Sequence, residues 1–231
     1  RPILAETPHP FTHQLREHRM ILFGLSVSPF VRKVMMYANE RGLQLENKPV
    51  GPQADDPVFK AASPFGKIPA LQDGDYLLAD SSAIIHYLGA KFPDGGLIPA
   101  DPQTRGKVIW FDEFADTIMF PAGTIMFFNR VVLPKIRKAA GDLVAADDAE
   151  KNKVPPLLAY LETCVPTDGY LVGNSLTLAD IAVTSELINF SHAGVPVDAA
   201  KHPKLAAYFA RMSARTSVSE IFSGEKRFLG L

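Results

Sequence analysis

The stretch Gly66-Lys67-Ile68-Pro69-Ala70-Leu71 constrains the fold of this chain most. It runs on through Gln72-Asp73-Gly74-Asp75 into Leu78-Ala79-Asp80-Ser81-Ser82-Ala83-Ile84. An Asp-Gly pair flanked by apolar runs is a strong short-range hairpin signal. The segment therefore reads as a strand, a tight turn, a second strand and a polar step into a helix. Proline cannot donate to a sheet ladder, so Pro69 at the head of the first strand marks an edge, a bulge or a cis peptide. A cis Ile68-Pro69 bond would turn the Ile68 backbone outward, with its N–H and C=O free for a ligand. Asp80-Ser81 would cap the following helix, and free N–H groups at a helix N-terminus suit a carboxylate. The stretch thus predicts a docking edge for a peptide-like ligand with an anionic end.

Upstream, Met20 to Leu25 reads as a short buried strand. Ser28-Pro29 then opens a helix, with serine as N-cap and proline in the first helical position. The helix runs from Phe30 to Arg41, and Gly42 stops it. Leu43 to Val50 reads as a second strand. Strand, helix and strand within about thirty residues make a βαβ unit with a parallel pair and a right-handed crossover. A short helix at Pro57 to Ala62, the hairpin and a helix from Ser82 to Lys91 complete a β-α-β-(α)-β-β-α order. That order predicts a small mixed sheet with helices on its faces.

The Pro/Gly-rich stretch from Phe92 to Pro102 is the clearest boundary. Beyond it strand signals vanish. Gln103 to Phe128 reads as one long helix carrying Trp110, Phe111, Phe114, Ile118, Met119 and Phe127, which Pro121 should kink or split. Val131 to Ala140 continues helical, and 141–152 reads as a polar, mobile stretch. Further helices follow at Val154 to Val165, with Pro155-Pro156 in the first turn, at Thr177 to Phe190 and at His202 to Ser213. Thr177-Leu178-Ala179-Asp180 is a capping-box pattern, with Leu176 and Ile181 as a hydrophobic staple. Asp180 is expected to be a buried cap with a folding role. The predicted organisation is an extension or expression remnant at 1–19, a sheet domain at 20–92, a linker at 93–101 and a helical domain at 102–231.

With 231 residues, 47% of them hydrophobic, the chain can bury a sizeable core. A formal net charge of -1 gives no electrostatic case for nucleic acid or an anionic membrane. No apolar run in the sequence looks long enough for a membrane span. The single cysteine, Cys164, excludes an intrachain disulfide and a multi-cysteine metal site; it is expected to be an inert buried thiol. His9, His13 and His18 lack ligand spacing, so no metal is expected.

Four motifs carry a resemblance. Ser-Pro-Phe-x-x-Arg-x-Val at 28–34, Gly-Lys-Ile-Pro-Ala-Leu at 66–71, Leu-x-Asp-Ser-x-Ala-Ile-x-x-Tyr-Leu at 78–88 and Leu-Thr-Leu-Ala-Asp-Ile-Ala at 176–182 stand in one order. In order and spacing the chain resembles the cytosolic glutathione transferases, over residues 20 to about 222. The resemblance implies an α/β thioredoxin-like N-terminal domain, with a cis bond at Pro69, followed by an all-α C-terminal domain. It implies glutathione as co-substrate: Ile68 and Pro69 at the cysteinyl part, Asp80 and Ser81 at the γ-glutamyl end, and Lys67 at the glycine carboxylate.

A free thiol has a pKa of about 8.5, so an enzyme using it as nucleophile must stabilise the thiolate. A hydroxyl at a helix N-terminus does so through a hydrogen bond and the helix dipole. Ser28 is placed for that, and Ser26, at the strand end, is the competitor. Some classes of the family carry cysteine at this position and favour thiol transfer. Serine here implies thiolate addition, substitution or peroxide reduction. Arg32 is expected to be a structural ion-pair partner. Phe30, Phe114, Ile118 and Met119 are the candidates for an electrophile pocket between the domains. Trp110 is expected at the domain interface, Tyr87 in the core and His86 at the surface. The expected partners are glutathione and a small hydrophobic electrophile or hydroperoxide, in a cytoplasmic homodimer without nucleic acid or membrane. The alternatives are a non-catalytic module of the same fold that binds a protein, and a glutathione-dependent isomerase or dehalogenase. The isomerase branch usually shows a Ser-Ser-Cys run where this chain has Ser26-Val27-Ser28-Pro29.

Overall fold

Four short strands form one mixed sheet in the order β2-β1-β3-β4. The computed structural model describes residues 19–231; His9, His13 and His18, and the predicted extension save for Arg19, lie outside the described residues. β1 (Met20–Phe23) pairs in parallel with β2 (Leu45–Lys48) and antiparallel with β3 (Ala70–Asp73). β3 and β4 (Tyr76–Ala79) form the hairpin, with Asp73 opposite Tyr76 and Gly74 at φ 61° in the turn. Strand alternation gives the sheet two dry faces. Leu22 and Leu71 face α1 (Pro29–Glu40) and α3 (Ser81–Lys91), packing with Val31, Val34, Ile84 and Leu88. Phe23 and Ala70 face α2 (Pro57–Ala62), where they meet Phe59 and Ala62. Gly24 follows β1 at φ 147°, and a Cβ there would lie 2.4 Å from a Val31 methyl carbon. Only glycine lets the chain pass that close to α1.

The helical half is built on α4 (Pro102–Ile136), a helix of 35 residues. The predicted break at Pro121 does not occur. Proline lacks an N–H and its ring crowds the carbonyl four residues back, so an α-helix breaks or widens there. This helix widens: Phe114–Met119, just before Pro121, winds with the π pattern, and so does Phe128–Ile136, which contains Pro134. The next helix, α5 (143–164), does the same, with a π segment at Ala149–Lys153 immediately ahead of Pro155-Pro156. The stretch expected to be polar and mobile is therefore helical from Leu143 onward. Asp142 caps it through the Ala145 N–H at 2.9 Å.

By length and apolar composition α4 passes the test for a membrane span, contrary to the sequence expectation. It packs along α6 (Leu178–His192), with Val108, Phe111, Phe114, Met119 and Met126 in the common core. The sequence also predicts nothing beyond Ser213, whereas α7 (Pro203–Ser213) is followed by α8 (Thr216–Leu229).

At the centre lies α6, in which every residue but Ser191 is buried. A helix apolar all round is the usual solution for such a position. This one carries six buried polar or charged side chains: Asp180, Thr184, Ser185, Glu186, Asn189 and His192. Asp180 fills the expected cap role. Its Oδ2 accepts from the Thr177 N–H at 2.9 Å, and its Oδ1 accepts from the Leu171 N–H at 2.8 Å and the Tyr208 hydroxyl at 2.9 Å.

Candidate active site

One cleft of about 740 Å³ runs between the sheet half and α4. Its first end gathers residues from three separate stretches: Ser28 before α1, Lys67-Ile68-Pro69 before β3, and Asp80-Ser81 before α3. The Ile68-Pro69 peptide is cis. The N–H and C=O of Ile68 have no hydrogen-bond partner among the described residues. The N-termini of α1 and α3, helices of 12 and 11 residues, both open on this end. Their unpaired N–H groups and dipoles favour negative charge in the cleft.

Asp80 stands at φ 81°, a conformation that costs a non-glycine residue of the order of 1–3 kcal/mol. In that pose its Oδ1 accepts from the Ala83 N–H at 3.0 Å and caps α3. Ser81, 2% exposed, forms the floor beside it. Lys67 is exposed at the rim.

Ser28 is the N-cap of α1 in extended geometry, yet its hydroxyl makes no capping bond. A serine at this position ordinarily donates its oxygen to the second or third helical N–H. Here the hydroxyl is partly exposed in the cleft wall. Ser26 is not part of that wall. The structure thus brings Ser28, Lys67, Ile68, Pro69, Asp80 and Ser81 together and leaves Ser26 outside.

The second end is apolar. Phe30 lies there as expected, its ring centroid 4.5 Å from that of Phe120. Thr124, Phe127, Phe128, Val132 and Ile136 continue the wall along α4, and Arg137 stands at its outer edge. Phe114, Ile118 and Met119 are not in the wall, contrary to the sequence expectation. Phe114 and Met119 are core residues at 4% and 0% exposure, and Ile118 is 42% exposed. The π turn explains the change: each one inserts a residue and rotates everything after it relative to an α-helical projection. Trp110 is likewise displaced from the expected domain interface. It is 49% exposed and stacks near Phe114, with its Nε1 donating to the Tyr160 hydroxyl at 3.3 Å.

The two halves meet through buried charge. Lys33 on α1 bonds Asp112 at 2.7 Å and Asp116 at 2.5 Å on α4, and Ser82 at 3.1 Å. Burial pulls the Lys33 pKa down, and the two carboxylates more than offset it, so the net shift is upward. Asp116 is pushed up to about 6 by its own burial, with Lys33 acting against the rise. Arg32 is 0% exposed and lies 2.9 Å from both oxygens of Glu225 on α8. Arg32 therefore holds the structural role expected of it. Cys164, at the end of α5, is partly exposed and not fully buried.

A mixed four-stranded sheet with a cis proline at its edge, followed by a helical bundle, defines a two-domain, thioredoxin-like thiol-binding class. The known proteins it resembles agree. Residues 22–96 match the family model described as "Glutathione S-transferase, N-terminal domain", and residues 136–222 match "Glutathione S-transferase, C-terminal domain". The chain is 34% identical over 164 residues to Glutathione S-transferase 3 of Zea mays, covering 69% of this chain and 72% of that one. It is 33% identical over 202 residues to Glutathione S-transferase theta-2 of Homo sapiens, covering 84% and 80%. Among solved structures, a glutathione transferase homolog from Drosophila mojavensis with bound glutathione superposes with a TM-score of 0.72 at 28% identity, covering 92% and 95%. The chain belongs to the glutathione S-transferase family, and it is a glutathione transferase enzyme.

Proposed function

We propose that this transferase is of the serine type, with Ser28 stabilising the glutathione thiolate for attack on small apolar electrophiles or organic hydroperoxides. The observation that carries the reading is the Ser28 hydroxyl. It stands at the mouth of α1, in the cleft wall, without the capping bond that would occupy it. Hydrogen-bond donation to sulfur and the positive end of the α1 dipole both lower a thiol pKa. The free N–H and C=O of Ile68 suit the cysteinyl backbone. Asp80, Ser81 and the first turn of α3 suit the γ-glutamyl end, and Lys67 suits the glycine carboxylate. Sulfur would then lie toward Ser28, facing the apolar shelf of Phe30, Phe120 and Phe127. That shelf favours a hydrophobic electrophile, and Arg137 at its edge favours one that also carries an anionic group. The assembly that goes with this reading is a cytoplasmic homodimer.

The test is a pair of variants. Ser28→Ala is expected to raise the thiol pKa of bound glutathione and to lower turnover of a model aryl halide by roughly 10- to 1000-fold. Glutathione affinity should change little. Ser26→Ala should alter neither quantity. The opposite pattern, loss with Ser26→Ala and none with Ser28→Ala, overturns the assignment.

A further inference from the structure

Ser28 sits between two carbonyls, and groups reaching from the helical half hold both. The Ser185 hydroxyl on α6 donates to the Pro29 carbonyl at 2.7 Å. Arg32, in the first turn of α1, donates through Nη2 to the Val27 carbonyl at 3.4 Å and to Asn189 Oδ1 on α6 at 3.0 Å. Its Nη1 donates to the Ser185 carbonyl at 2.7 Å, and its Nε reaches Glu225 on α8. Arg32, Ser185, Asn189 and Glu225 are all at most 1% exposed. An isolated helix start needs none of this. A carbonyl has two lone pairs, and the Pro29 carbonyl gains from Ser185 a donor that the helix itself does not supply. The turn is closed from below by the Ser28 N–H, which donates to the Leu25 carbonyl at 3.0 Å.

We propose that Ser185 is a positioning residue for the Ser28 hydroxyl, with Arg32, braced by Asn189 and Glu225, fixing the other side of the same turn. The proposal rests on Ser28 being the donor to the thiolate. A serine hydroxyl has three staggered orientations, and only an aimed one stabilises sulfur. Pinning the peptide units on both sides of Ser28 fixes the direction of its Cα–Cβ bond. The helical half thereby acts on the sulfur through the backbone, without Ser185 entering the cleft wall.

Ser185 is the residue to vary, because truncating Arg32 would leave Glu225 buried and bare. In the full chain, Ser185→Ala is expected to raise the thiol pKa of bound glutathione, read by thiolate absorbance, by about half a unit or more. Its kcat with an aryl halide should fall roughly 5- to 10-fold while KM for glutathione holds within about twofold. Ser185→Thr, which keeps the hydroxyl, should restore both. In the ligand-free protein, amide exchange at residues 28–31 should become roughly 5- to 10-fold faster in Ser185→Ala, with β1 unchanged. A wild-type thiol titration together with wild-type exchange at those residues overturns the proposal. So does a uniform loss of protection over the whole chain, which marks Ser185 as general packing. If the wild-type protein itself shows no thiolate titration, the Ser28 assignment fails instead. The exchange at residues 28–31 then decides alone whether Ser185 holds the turn.

Discussion

Glu186 is the residue least at ease in this fold. It is buried on α6, one of its oxygens has no partner, and that oxygen lies 3.4 Å from where a Cβ on Gly123 would stand. Burial pushes its pKa up to about 8, Asp116 adds to the rise, and Arg32 and Lys33 oppose it. The folded carboxyl therefore keeps its proton to about pH 8, whereas in an unfolded chain it ionises near about 4.3. Between those values the folded state holds more protons than the unfolded one, so stability falls as pH rises across the window. Glu186→Gln removes that dependence. Its melting temperature should match the wild type near pH 5 and exceed it by pH 8, and an equal shift at both pH values would refute the account. The sequence offers no hint of this behaviour. A glutamate within an apolar helix reads as surface until the packing around α6 is known. The same holds for Ser185, Asn189 and Glu225, whose significance lies in partners about 150 to 190 residues away.

Elements were more legible than their phase. The hairpin announced itself through Asp73-Gly74 and Pro69, and α1 through Ser28-Pro29, because turns and caps are written in local chemistry. Pro57 to Ala62 was readable to the residue. The helices of the second half were visible by periodicity, but the faces they present were not. A π turn adds one residue to a repeat that sequence patterns assume constant, and it is set by how a helix absorbs a proline against its neighbours. That is why Phe114, Ile118 and Met119 looked like pocket residues while Phe120, Phe127 and Phe128 form the wall. The cap of α6 is the counter-example, a local motif that was readable and also anchors the core. Asp180→Ala leaves the Leu171 and Thr177 N–H groups and the Tyr208 hydroxyl unpaired. Urea unfolding should show a loss of roughly 3 kcal/mol or more. A loss below about 1 kcal/mol would mean that water or a rearranged loop satisfies those groups.

The whole molecule is joined by ion pairs that neither half completes. α1 brings two buried cations, Arg32 and Lys33, and their counter-charges Glu225, Asp112 and Asp116 lie on α8 and α4. Arg215, ahead of α8, adds a clamp on Glu40 at the far end of α1, at 2.6 Å and 2.8 Å. Removing one member of a buried pair costs roughly 3–5 kcal/mol, while replacing both members by apolar groups is often close to neutral. Lys33→Met should therefore be strongly destabilising alone and much less so in an Asp112→Leu background. A double-mutant cycle in urea reads the difference directly, and additive losses would show that the pair does not bind the halves together.

The polar helix α6 also sets the unit in which this enzyme can be recombined. The linker at 93–101 invites an exchange of halves with a relative, since few side chains are at stake there. The α1–α6–α8 lattice makes that junction the wrong seam. A donor sheet domain arrives with its own α1, and it will find hydroxyl, amide and carboxylate partners only if the recipient's α6 and α8 offer them at matching positions. Chimaeras should therefore be drawn in three pieces that travel as a set, with the cleft wall of α4 as the part free to vary. A library built that way would diversify the electrophile while leaving the thiol end as it was inherited.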